Sequence, residues 1–163
     1  MSGAIKQLIL LSNHRTHVRA LGLCVPPKLK VGLTVLDVNT FASELNNEKN
    51  MLVLIDLTNL DAETKRLLQD KLKSGTASLA LLSTTDHLVI DEIVKWPNVC
   101  GYFNLDDEFD IICKGIQAVM AGDTCFSSHV ASQLDDYYRK HQPKRAQFDP
   151  ESRSPYLKNI SHC

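Results

Sequence analysis

The chain has 163 residues, 44% of them hydrophobic, enough for one domain with its own core and too few for two full domains. Its 18 basic and 19 acidic side chains leave a formal charge of -1, which excludes a global positive field for holding nucleic acid. The longest uninterrupted apolar run near the N-terminus, Leu8 to Leu11, is too short for a secretory signal or a membrane span, so a cytoplasmic protein without membrane contact is expected.

In chain order, Gln7 to Leu11 reads as a first strand, ending in Ser12-Asn13-His14. Thr16 to Cys24 has helical spacing through Val18 and Leu21, and Pro26-Pro27 is expected to end that helix, since neither proline donates to the ladder. Leu33 to Leu36 is a second strand, and a short helix at about Thr40 to Leu45 leads to the third. That third strand, Met51 to Asp56, is an unbroken apolar run stopping on a carboxylate, the pattern of a strand buried on both faces of a parallel sheet.

Asp61 to Leu72 is an amphipathic helix, with Asp61 placed to cap it and Gly75 just past its end. Ser78 to Leu82 is the fourth strand, closing on Ser83. Val89 to Val94 is a short helix broken by Trp96-Pro97. Val99 to Phe103 is the fifth strand, and Asp107 to Ala121 the fifth helix, stopped by Gly122.

Five strand–helix alternations predict an α/β fold, a doubly wound parallel sheet of five strands with helices on both faces. A sixth helix, about Ser128 to Lys140, exceeds what such a sheet needs. Residues 1–124 thus form the α/β domain, 125–141 an extra helix suited to dimerisation, and 142–163, polar and with Pro143, Pro150 and Pro155, a structureless tail. The cysteines, Cys24, Cys100, Cys113, Cys125 and Cys163, are odd in number and form no CxxC pair. They read as reduced thiols, with Cys100 and Cys113 in the core.

An aspartate ending the third strand, Ser83 ending the fourth and Gly101-Tyr102-Phe103 in the fifth resemble a response-regulator receiver domain. Trp96-Pro97-Asn98-Val99-Cys100-Gly101-Tyr102-Phe103, then Gly115 to Gly122, then Phe126 with Ala131-Ser132-Gln133-Leu134, are similar to the LuxR/FixJ-type transcription regulators of biofilm matrix, the curli and Vibrio polysaccharide regulator group. The likeness is specific from Val94 to Leu134 and architectural from Lys6 to Leu82. It implies a receiver-like domain that dimerises and reports to a C-terminal helix-turn-helix. The family continues past Leu134 into that DNA-binding module, whereas these 163 residues contain none, as in a clipped or frameshifted regulator. Without groove-reading helices the chain is not expected to recognise a promoter alone.

By this resemblance Asp56 holds the phosphoacceptor position and Ser83 the hydroxyl switch. A working receiver also needs an acidic pair after the first strand to hold Mg²⁺ and a lysine after the fifth. Those places fall on Ser12-Asn13 and Leu105. A single carboxylate is a poor site for a hard cation that wants several oxygens, so neither Mg²⁺ nor phosphorylation is expected, and Asp56 is read as bonding the next loop. The alternative is a stand-alone phosphorelay receiver phosphorylated on Asp56.

Some relatives bind cyclic di-GMP through a Trp-[Phe/Leu/Met]-[Thr/Ser]-Arg tetrad, which here is Cys125-Phe126-Ser127-Ser128. Loss of the stacking indole and the guanine-reading arginine, each worth about 1–3 kcal/mol, predicts no binding of that nucleotide. Phe126 is instead expected to pack the sixth helix on the fifth. Val130, Leu134, Tyr137 and Tyr138 share one face of the sixth helix and are the candidate homodimer surface, with packing inside the monomer as the alternative.

His14 and His17 could share a helix face, but too few ligands accompany them for zinc, and a capping or solvated role is expected. Asp106-Asp107-Glu108 suits a helix start, and Lys140, Lys144 and Arg145 a solvated helix end. A flavodoxin-like nucleotide site fails for want of a glycine in Ser12-Asn13-His14-Arg15-Thr16. No enzymatic activity and no cofactor are expected.

Overall fold

The computed structural model of the protein describes residues 5, 7–37, 51–58, 60–84, 90–141 and 160–162. In the interior of its sheet lies β3 (Met51–Asp56), every residue of which is buried, as an apolar run without alternation requires. To one side stand β1 (Gln7–Leu11) and the edge strand β2 (Leu33–Leu36). To the other stand β4 (Ser78–Ser83), β5 (Val99–Asn104), β6 (Thr124–Phe126) and β7 (Ile160–His162). All pair in parallel, in the order β2-β1-β3-β4-β5-β6-β7.

The helices are α1 (Arg15–Leu29), α2 (Ala62–Lys73), α3 (Ile90–Val94), α4 (Phe109–Met120) and α5 (Ser128–His141). The helix expected near Thr40 to Leu45 lies outside the described residues, so α5 is the expected sixth helix. Side chains leave a strand to alternate faces, and the core splits accordingly. Ile9, Leu11, Val53, Ile55, Leu79 and Leu81 face α2, α3 and α5, through Leu68, Leu72, Ile93, Val130 and Leu134. Leu8, Leu10, Leu52, Leu54, Ala80 and Leu82 face α1 and α4, through Leu21, Val25, Ile112, Ile116 and Val119. Burying each such side chain stabilises by about 1.5–3 kcal/mol.

Three expectations are corrected. The sheet has seven strands rather than five. β6 is only three residues long, below the length at which alternation can be read, and β7 falls in the stretch whose polarity suggested no structure. Residues 142–159 and Cys163 of that expected tail lie outside the described residues. The first helix also runs through Pro26-Pro27 to Leu29. The carbonyls that the two prolines leave without a donor belong to Gly22 and Leu23, both exposed, so water can satisfy them. Val25 and Leu29 hold the last turn on the core, and Lys30 closes it in the left-handed region, its N–H on the Pro26 carbonyl at 2.8 Å.

Cys24, Cys100 and Cys113 are free, while Cys125 is disulfide-bonded, a departure from five reduced thiols that no cysteine spacing announces. Burial pushes the Cys100 and Cys113 thiols above their ordinary range.

Gly115 sits in α4 where a side chain has no room. A Cβ there would lie 2.2 Å from Phe103 Cε1 and 3.0 Å from Cys125 Sγ. Gly115→Ala is therefore expected to destabilise by about 1–3 kcal/mol by overpacking, although alanine is the better helix former by about 1 kcal/mol. Urea denaturation measures it, and a variant more stable than the parent would remove the steric reading.

Candidate functional site

The chain steps from β1 to β2 on one side and returns to β3 on the other, so the carboxyl ends of β1 and β3 flank the crevice where open parallel sheets place their chemistry. Asp56 ends β3 there and is fully buried. Its Oδ2 accepts from Ser12 Oγ at 2.8 Å and from His17 Nδ1 at 2.7 Å. Its Oδ1 accepts from the Thr58 N–H at 3.0 Å. A hydrogen bond from Nδ1 to a carboxylate oxygen uses the Nδ1–H form of the imidazole.

The bond to the next loop is thus present, yet it is one of three. His17 was missed as a partner because the carboxylate it meets lies 39 positions away in sequence. Its spacing held a usable signal: a polar residue in the first turn of a helix that follows β1 projects beside the strand ends. His14 caps α1, its Nδ1 accepting the His17 N–H at 3.4 Å, and the two rings stack with centroids 3.7 Å apart. The His14 N–H in turn donates to Ser12 Oγ at 3.0 Å. Ser12, His14 and His17 therefore form one bonded set that closes over Asp56.

Ser83 is buried at the end of β4, one register position beyond Leu82, the partner of Asp56. Leu105, at the lysine position, packs on the core, and its N–H donates to the Ser83 carbonyl at 2.8 Å. Among the described residues no cluster of three or more His, Cys, Asp or Glu could hold a metal ion.

The Cys125-Phe126-Ser127-Ser128 tetrad is divided between β6 and the start of α5. Cys125 and Phe126, both fully buried, point to opposite faces of the sheet. Ser127 caps α5, its Oγ accepting the Val130 N–H at 3.2 Å, and Ser128 opens the helix exposed. Phe126 belongs to the buried cluster that holds Val130, Ala131 and Leu134 of α5 together with Ile93 and Trp96. It does not join α4, the helix against which it was expected, because the strand alternation sends it to the other face.

Val130, 6% exposed, and Leu134, at 0%, belong to that same core, so the candidate dimer surface loses both to the interior of the protomer. Tyr137 and Tyr138 are half-buried and meet edge to face at 5.4 Å. Asp106, Asp107 and Glu108 are exposed before α4, and Glu108 is its N-cap residue without a side-chain bond. Lys140 is exposed on α5, whereas Lys144 and Arg145 lie outside the described residues. No helix among the described residues is long and apolar enough to cross a membrane.

No family model matches the chain. The probable csgAB operon transcriptional regulatory protein of Salmonella typhimurium is 31% identical over 85 residues, covering 51% of this chain and 39% of that protein. The CsgBAC operon transcriptional regulatory protein of Escherichia coli is 27% identical over the same length, with the same coverage. Among solved structures, the regulatory domain of the biofilm regulator CsgD superposes with a TM-score of 0.69 at 24% identity, over 78% of this chain and 97% of that one. The chain carries a receiver-like domain similar to that of the curli-operon regulators. A Colwellia psychrerythraea response regulator, with a TM-score of 0.57 at 17% identity over 72% of this chain and 98% of that one, shares the receiver fold.

The matched stretch spans 39% of the length of the curated relatives. Within this receiver-like domain Asp56 ends the third strand bonded to Ser12, and Leu105 follows the fifth strand bonded to Ser83.

Proposed function

We propose that the chain is the regulatory, receiver-like part of a cytoplasmic LuxR/FixJ-type transcription regulator of biofilm matrix or exopolysaccharide genes. It acts by self-association, not by accepting a phosphoryl group, and has no catalytic activity of its own. The observation that carries this reading is the closed shell of Asp56, with its carboxylate at 0% exposure and both oxygens engaged by Ser12, His17 and Thr58. In-line attack on a phosphodonor requires a free carboxylate oxygen and a cation to neutralise the transferred group. Here His17 stands on the oxygen that a metal or phosphoryl group needs.

The relatives are named as transcriptional regulators of the csg operons, which supports the regulatory class. DNA contact belongs, in this reading, to a helix-turn-helix outside these residues. With Val130 and Leu134 inside the core, the self-association surface falls on what α5 leaves outside, Tyr137 included. A single experiment tests both parts: acetyl phosphate with Mg²⁺, followed by intact mass and light scattering. The expected result is no adduct of about 80 Da and a dimeric mass that does not change on treatment. An adduct on Asp56, or a monomeric mass throughout, would overturn the proposal.

A further inference from the structure

Ser12, whose hydroxyl donates to Asp56, also lines an open pocket of about 380 Å³ at the carboxyl ends of β1 and β2. The other described lining residues are Asn13, Arg15, Val18, Arg19 and Asp37. Its volume lies at the small end of ligand sites, which run from about 300 to 1,000 Å³. Arg15 and Arg19 are exposed one helical turn apart on α1, and neither side chain makes an ion pair or hydrogen bond among the described residues. The first turn of α1 carries no acidic residue to offset them. Two guanidiniums lining one cavity offer up to ten N–H donors, roughly five per group. Their planar forks match tetrahedral phosphoryl oxygens two at a time. Asp37 is the one carboxylate among the described lining residues, and it disfavours an anion that brings no donor of its own.

We propose that this pocket binds a small phosphate monoester. Arg15 and Arg19 clamp the phosphoryl oxygens, and Asp37 accepts from a hydroxyl on the organic part. Ser12 is shared between the pocket and the Asp56 shell, so occupancy is placed to bias that shell. The inference goes beyond the regulatory reading and does not rest on it, because binding is measured whether or not protomers associate.

The test is calorimetry at low ionic strength on the full chain, with inorganic phosphate in one arm and ribose 5-phosphate in the other. Saturable binding of the ester, one per chain and tighter than free phosphate, is expected. Loss of either guanidinium should weaken it by at least about tenfold in Arg15→Ala and in Arg19→Ala. Asp37→Asn should weaken the ester and not inorganic phosphate. Arg66→Ala, an exposed arginine on α2, should leave both within about twofold. Far-UV circular dichroism confirms that each variant is folded. Binding that does not saturate, that survives in the Arg15→Ala/Arg19→Ala double variant or that falls equally in Arg66→Ala would overturn the site. Equal affinity for phosphate and ester would overturn the monoester and the role of Asp37.

Discussion

Leu134→Asp is expected to unfold the domain at room temperature. Leu134 is fully buried in the core cluster that also holds Phe126 and Trp96. Truncating such a side chain to alanine costs about 2–5 kcal/mol through lost transfer energy and the cavity left behind. A carboxylate in the same place adds the cost of a buried charge with no partner. Against a total stability of about 5–15 kcal/mol for a typical domain, Leu134→Ala should still melt cooperatively at a lower temperature, and Leu134→Asp should not show a native baseline. Circular dichroism melts of the pair check this. A Leu134→Asp protein that melts like the parent but runs as a monomer would return this residue to a subunit interface.

The second large effect concerns the aspartate shell. His17→Ala removes one of the two donors to Asp56 Oδ2 and leaves a buried carboxylate with Ser12 and Thr58 alone. Leaving a buried acceptor short of a hydrogen-bond donor costs about 1–3 kcal/mol, with the upper end for a carboxylate. The His17 side chain is 16% exposed, so water can enter the gap and the expected loss is about 1–3 kcal/mol. Asp56→Asn removes the charge while keeping an oxygen for the Thr58 N–H. In that background His17→Ala should cost much less, giving a coupling energy on the order of 1–3 kcal/mol. Urea denaturation of the parent, the two single variants and the double variant closes the cycle. Additive losses would mean that the 2.7 Å contact contributes nothing specific.

A shell held this way ties the first helix to the interior strands of the sheet. Here the imidazole of His17, steadied by its stack on His14, bridges α1 to β3. The joint is intramolecular.

Much of the fold was legible in the residues. The buried run Met51–Asp56 and the alternation of strands with amphipathic segments named the parallel sheet and placed Asp56 at its functional edge. Val130 and Leu134 were legible as a helix face, yet periodicity marks a face that must be covered without naming its cover, a second chain or the chain's own sheet. The length of the first helix was misread because proline's penalty depends on whether the orphaned carbonyls reach water, a tertiary property.

By itself the sequence determined the fold class and the poverty of acidic and lysine ligands around one aspartate, because both are matters of residue type and local period. Only the tertiary structure decided that His17 stands on that aspartate, that β6 and β7 extend the sheet, and that two unpaired arginines open onto a pocket beside Ser12. Each of these joins residues far apart in sequence, where no local period reports which side chains will meet.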